Sequence, residues 1–227
     1  MKISILETGA PPPPLVPRFG RYPDMFRRLL GSDHVAAAYD VAGGSLPADP
    51  EDHGAYLITG SAAGVYDDLP WIAPLKAFLG AAKGKARLVG VCFGHQIMAE
   101  TFGGRVARSE KGWGVGLQQY EVFERAPWMD EAECVSLPVS HQDQVIERPP
   151  GSKRLAGSDF CDIGMLAYED QPAMSFQFHP EFEPDYAAAL IELRRDRLEN
   201  AEAAVASLRK PNDSARIAGW IRNFVGS

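Results

Sequence analysis

The chain has 227 residues, 45% of them hydrophobic and 23% charged, and a net charge of -7. That length suits one well-filled domain or a domain with a helical segment appended; the acidic balance argues against a nucleic-acid surface, and no apolar run is long enough to span a bilayer. Three scattered cysteines, Cys92, Cys134 and Cys161, form neither a disulfide framework nor a paired metal knuckle, and the opening Met1–Glu7 stretch is too short for a signal-peptide core, so a reducing cytoplasm is expected.

The first half alternates strand and helix signals. Ile3 to Leu6 predicts a strand, followed by a loop with the run Pro11-Pro12-Pro13-Pro14, a stiff connector. Tyr22 to Leu30 has helical spacing, with Met25, Phe26, Leu29 and Leu30 on one face. Strands are expected at Val35–Val41, Ala55–Thr59 and Arg87–Val91, and helices at Trp71–Ala82 and Phe93–Phe102. Short apolar strands separated by helices imply a mostly parallel central sheet covered on both faces, with functional loops at the strands' carboxyl ends. The second half is strand-rich, at Leu117–Phe123, Cys134–Val139, Arg154–Gly157, Gly164–Tyr168 and Ala173–Phe178, which predicts antiparallel strands added to the parallel core. One helix is expected over Tyr186–Leu208 and another over Ala215–Phe224, a tail too short for an independent domain. The expected division is a domain at residues 1–183 and a helical extension at 184–227 packed on it.

Gly90-Val91-Cys92-Phe93-Gly94-His95-Gln96 reads as a strand that breaks at a cysteine opening a helix. A side chain at such a turn is pushed out of the sheet, and glycines allow the sharp bend. The helix N-terminus favours a thiolate there. This local pattern fits a nucleophile and a small buried cysteine equally well. Phe176-Gln177-Phe178-His179-Pro180-Glu181 supplies what a thiol nucleophile needs: a strand ends at His179, Pro180 turns the chain, and Glu181 is placed to hold the imidazole. Cys134 and Cys161 lack flanking glycines and are expected to pack, and His34 and His53 to be solvated. His95 could pair with Cys92 on a metal, but a zinc site would want further Cys/His pairs at short spacing, and none are present.

With Cys92, His179 and Glu181 in this order, the chain resembles a class I glutamine amidotransferase, of the stand-alone branch similar to the amidotransferase part of GMP synthase. The resemblance covers residues 2 to 183 and rests on four segments: Gly90 to Gln96, Phe176 to Glu181, Ser140-His141-Gln142-Asp143-Gln144-Val145, and Thr59-Gly60-Ser61-Ala62. It implies a flavodoxin-like α/β fold and a Cys92–His179–Glu181 triad that attacks a γ-glutamyl amide through a thioester. The oxyanion hole would come from the backbone N–H of Phe93 and one from Gly60 or Ser61, and no metal or other cofactor is implied. Gln96 would contact the substrate amino acid; His141 and Asp143 fall in a substrate-side loop that could equally be a structural turn. Thr59-Gly60-Ser61-Ala62 departs from the S-G-G-P common in synthase-linked members. A residue with a Cβ resists positive φ, so an altered oxyanion turn and a different acyl donor are expected.

Three functions follow. One is a glutaminase passing ammonia to a separate synthase subunit, since no P-loop is present. The second is a free-standing hydrolase of γ-glutamyl peptides or amides. The third, a regulatory module that has lost chemistry, sits poorly with a complete triad. Glutamine or a γ-glutamyl compound is the expected substrate, with no nucleic-acid or membrane partner.

Overall fold

A computed structural model describes residues 1–226. The strands are β1 Ile3–Glu7, β2 Val35–Asp40, β3 Ala55–Ile58, β4 Arg87–Val91, β5 Arg105–Arg108, β6 Gly114–Val122, β7 Cys134–His141, β8 Asp143–Glu147, β9 Ser152–Gly157, β10 Met165–Tyr168 and β11 Ala173–Phe176. The α-helices are α1 Val16–Phe19, α2 Tyr22–Leu30, α3 Ile72–Ala82, α4 Phe93–Thr101, α5 Pro184–Leu193, α6 Ala201–Ser207 and α7 Ser214–Gly226. The main sheet runs β2-β1-β3-β4-β11-β10-β9-β6-β7; β5 and β8 form a separate antiparallel pair. From β2 to β11 all neighbours are parallel, and from β11 to β7 all are antiparallel. This is the expected α/β architecture, with β11 as the hinge between its two halves.

Strand alternation assigns the two faces. Ile3, Ile5, Leu57, Val89 and Val91 share one apolar cluster with Phe26 and Leu30 of α2 and Trp220, Ile221 and Phe224 of α7. Leu6, Tyr56, Ile58 and Leu88 point the other way, into a cluster with α3 and α4. A third cluster joins Tyr186, Leu190 and Ile191 of α5 and Ala201 and Ala204 of α6 to Phe19 and Tyr22 from the first quarter of the chain. Each apolar side chain fully withdrawn from water here is worth about 1.5–3 kcal/mol before conformational entropy is set against it.

Two expectations are corrected. The helix predicted over Tyr186–Leu208 is two helices, because the chain leaves α5 through a 3₁₀ turn at Arg195–Arg197 and is extended at Leu198. Its apolar spacing already slips there: Leu193 is half exposed, and the gaps from Leu190 to Leu193, Leu198 and Val205 do not follow one face. The Ser140–Val145 loop is mostly strand. β7 runs to His141, pairing with β6, and after Gln142 alone β8 begins and pairs with β5. A polar segment that changes sheets lacks the apolar alternation by which strands are read.

Candidate active site

The carboxyl ends of β3, β4 and β11 lie side by side, with Ile58 opposite Gly90 and Val91 opposite Phe176. The turns leaving them carry Gly60, Cys92 and His179 to one edge of the sheet. Helix α4 starts immediately after Cys92 and sits hard against β3, the Gly94 N–H donating to the Thr59 carbonyl at 3.1 Å. A Cβ on Gly94 would lie 2.3 Å from the Ile58 oxygen, and one on Gly90 2.6 Å from the Gly94 oxygen. The two glycines around Cys92 are thus required by backbone contact across the strand–turn–helix unit. Cys92 has φ +53°, the one non-glycine positive φ among the described residues. Such a conformation costs on the order of 1–3 kcal/mol and persists only where the surroundings enforce it.

Glu181 Oε1 accepts a hydrogen bond from His179 Nδ1 at 2.7 Å, and both side chains are buried. That fixes the proton on Nδ1 and leaves the other side of the ring for Cys92, which lies close enough for its sulfur to act on the imidazole electrostatically. Burial by itself would lower the His179 pKa; the Glu181 carboxylate and the Cys92 sulfur outweigh it and raise the value from 6.5 to about 10. Phe182 stacks on the imidazole, centroids 3.9 Å apart and planes 6° from parallel, and the His179 backbone N–H is held by the Pro138 carbonyl of β7.

Gly60 closes the site from the β3 side. A Cβ there would stand 2.9 Å from His179 Cε1 and 3.7 Å from Cys92 Cβ. Its carbonyl accepts from the hydroxyls of Thr8 and Thr59, which tie the turn to the end of β1. Neither Gly60 nor Ser61 has positive φ. The Cβ of Ser61 therefore carries no conformational penalty, and its hydroxyl accepts the Ala63 N–H at 3.2 Å. The Phe93 N–H, first in α4, has no intrahelical acceptor.

Beneath the sulfur lies a pair of amides. Gln177 Nε2 donates to Cys92 Sγ at 3.5 Å, and its Oε1 accepts from Gln96 Nε2 at 3.1 Å. Gln96 Nε2 also donates to the Asp143 carbonyl at 2.8 Å, so only its Oε1 remains for a ligand. Sequence reasoning assigns Gln177 no role, although a fully buried glutamine between two phenylalanines is itself a signal of a satisfied polar partner.

His141 is buried, and its Nδ1 pairs with the Asp143 carbonyl at 3.2 Å. Burial lowers its pKa to about 3, so it is neutral. Asp143 takes the Tyr66 hydroxyl at 2.7 Å. His95 is enclosed too, bonded to Ser175 and the Ile163 carbonyl, with burial lowering its pKa to about 4. Among the described residues no group of three or more His, Cys, Asp or Glu is arranged to hold a metal. Cys161 is buried as expected, but Cys134 is exposed at the start of β7 and accepts a bond from Gln119. His34 is exposed, whereas His53 is half-buried and bonds the Tyr39 hydroxyl at 2.7 Å.

A cavity of about 670 Å³ opens onto Cys92, His179, Gln96 and Ser61. Part of its wall comes from segments read as connector or tail: Pro11–Pro13, and Leu190, Arg194, Arg197 and Leu198. No helix is long and apolar enough among the described residues to cross a membrane.

With this geometry in hand, known proteins provide a comparison. The sequence profile of the family described as Glutamine amidotransferase class-I matches residues 72–193, from the start of α3 to the end of α5. Gamma-glutamyl peptidase 2 of Arabidopsis thaliana is 28% identical over 222 residues, spanning 91% of this chain and 88% of that protein. The glutamine-hydrolysing GMP synthase subunit of Archaeoglobus fulgidus is 37% identical over 100 residues, 41% of this chain and 51% of that one. The crystal structure of a glutamine amidotransferase from Thermotoga maritima superposes with a TM-score of 0.76 at 16% identity, covering 100% of this chain and 99% of the other.

Proposed function

Since the chain belongs to the class I glutamine amidotransferase family, an amide-hydrolysing family, we propose that it hydrolyses a γ-glutamyl amide through Cys92, His179 and Glu181. The observation that carries this is the buried His179–Glu181 pair, its imidazole beside a positive-φ cysteine at a helix N-terminus. The proton given up by the sulfur rests on His179 while sulfur attacks the γ-carbonyl carbon. The resulting oxyanion is held by the backbone N–H of Phe93 and one from the Gly60–Ser61 turn. The C–N bond breaks as the nitrogen takes the proton from His179; an amine leaves, or ammonia where glutamine is the donor. Water then loses a proton to His179 and attacks the thioester, sulfur departs, and glutamate is released. In this reading Gln96 Oε1, unused within the protein, accepts from the α-ammonium of the glutamyl group, and His141 and Asp143 shape the wall beside it.

Cys92→Ala is expected to abolish release of amine or ammonia from glutamine and γ-glutamyl compounds, measured by coupled assay on purified protein. Wild-type protein that is inert to both, and unlabelled by a glutamine-analogue electrophile, would end this reading. A second reading, delivery of ammonia to a separate synthase subunit, is favoured by the similarity to the Archaeoglobus GMP synthase protein. That similarity spans under half of the chain, whereas the similarity to the γ-glutamyl peptidase extends over nearly all of it. The free-standing hydrolase is therefore the reading we favour.

A further inference from the structure

The cavity is several times larger than one amino acid and lies within the range of about 300–1,000 Å³ found for drug-sized ligands. Glutamine would leave most of it empty. Its wall carries three cations, Arg108, Arg194 and Arg197, in a protein whose net charge is -7. Arg194 caps and Arg197 ends the 3₁₀ turn after α5, the Arg197 N–H bonding the Arg194 carbonyl at 2.9 Å. Residues three apart in such a turn eclipse one another, so both side chains serve the same face. Arg195 between them turns away and pairs with Glu192.

Among the described residues none of these cations is held in an ion pair, and three arginines outnumber the two acids on the wall, Asp67 and Asp143. Arg108 stands opposite Asp143 in the β5–β8 ladder, but the Asp143 carboxylate is occupied by the Tyr66 hydroxyl, and among the described residues no ion pair links the two. The other acid on the wall, Asp67, caps the Gly64 N–H at 2.8 Å. The Arg108 and Arg197 guanidinium groups make no hydrogen bond or ion pair among the described residues, and Arg194 bonds only the Ser140 hydroxyl, lying 5.6 Å from the Trp113 ring centre. Trp113 is itself 38% exposed on this wall, an apolar plate beside the cations.

We propose that Arg108, Arg194 and Arg197 form a subsite for the leaving group, and that the acyl donor is a γ-glutamyl peptide whose departing amine bears a free carboxylate. This rests on the amide-hydrolase reading above. A guanidinium presents a planar fork of donors that matches a carboxylate, and Trp113 covers the body of the departing residue. Ammonia, the product from glutamine, offers the subsite nothing to hold.

The test compares γ-glutamylglycine, γ-glutamylglycinamide and glutamine on wild type and on Arg108→Gln, Arg197→Gln and Arg197→Lys. Arg108 and Arg197 are exposed, so these changes spare the core. Wild type is expected to prefer the free acid over its amide by about tenfold or more in kcat/KM, through KM. Each Gln variant is expected to bring that ratio toward one, Arg197→Lys to retain part of it, and added salt to raise KM for the acid alone. Equal rates on acid and amide, or a preference that survives both Gln substitutions, would overturn the subsite and leave the amide-hydrolase reading standing. Inertness toward all three, with no labelling by a glutamine-analogue electrophile, would overturn both.

Discussion

At the level of single residues, His179 shows how a buried charge is made useful. Its ring is enclosed, so desolvation opposes protonation, and the Glu181 carboxylate at 2.7 Å reverses the balance. A histidine whose pKa is higher in the folded protein adds stability that is complete below the unfolded value of about 6.5 and is lost as pH rises through about 10. Glu181→Gln removes the carboxylate responsible. The variant should be less stable than wild type by roughly 2 kcal/mol or more near pH 6, with the gap narrowing toward pH 10. Urea unfolding at a series of pH values measures this; a gap constant from pH 6 to pH 10 would show that Glu181 does not hold the His179 proton.

The next scale is the strand–turn–helix element that presents Cys92. Here the sequence is unusually direct, because each rule is local: an apolar strand, glycine two residues to either side, and a helix beginning at the cysteine. Backbone contact explains why both glycines are needed, and Gly94 is the tighter of the two. A Cβ at Gly94 meets the Ile58 carbonyl oxygen at 2.3 Å and its carbon at 2.9 Å, atoms of a central strand that cannot step aside. Gly94→Ala should cost about 1–3 kcal/mol by overpacking and, by prising α4 from β3, also depress activity. Chemical denaturation together with steady-state rates checks both; a variant of wild-type stability would mean that the contact relaxes freely. The His179–Glu181 pair is legible for the same reason, with a proline between two residues that must share one side of a turn. Less legible are elements whose meaning depends on distant partners. The flanking phenylalanines mark Gln177 as needing a polar partner, but they do not name Cys92, which lies on the turn after a different strand. β5 and β8 carry too little apolar alternation to be read as strands. The charged run Arg194–Arg197 looks like a solvated helix face, and only the break after α5 turns two of its arginines toward the cavity.

For the molecule as a whole, the question is whether residues 184–226 form an appendage or part of one cooperative unit. Their packing supports the second. Trp220, Ile221 and Phe224 of α7 share a cluster with Phe26, Leu30 and the parallel strands, while Asp213 exchanges hydrogen bonds with Ser136 of β7 through backbone and carboxylate. Tyr186 and Leu190 of α5 are buried against Phe19, Tyr22 and Phe182, and Phe182 in turn stacks on His179. The tail thus supplies part of the cavity wall and packs behind Phe182, the ring that stacks on His179. If it were an independent layer, weakening it would detach it first. Leu190→Ala, which empties a side chain only 3% exposed, should instead lower the stability of the whole chain by about 2–5 kcal/mol. Far-ultraviolet circular dichroism should follow α-helix and sheet together, and tryptophan fluorescence should report all four tryptophans, from Trp71 in the parallel half to Trp220 in α7. In urea the two signals should move to a lower midpoint and stay coincident. Separation of the two curves in the variant would show that the tail unfolds by itself, and that the wall carrying Arg194 and Arg197 is a detachable part of the site.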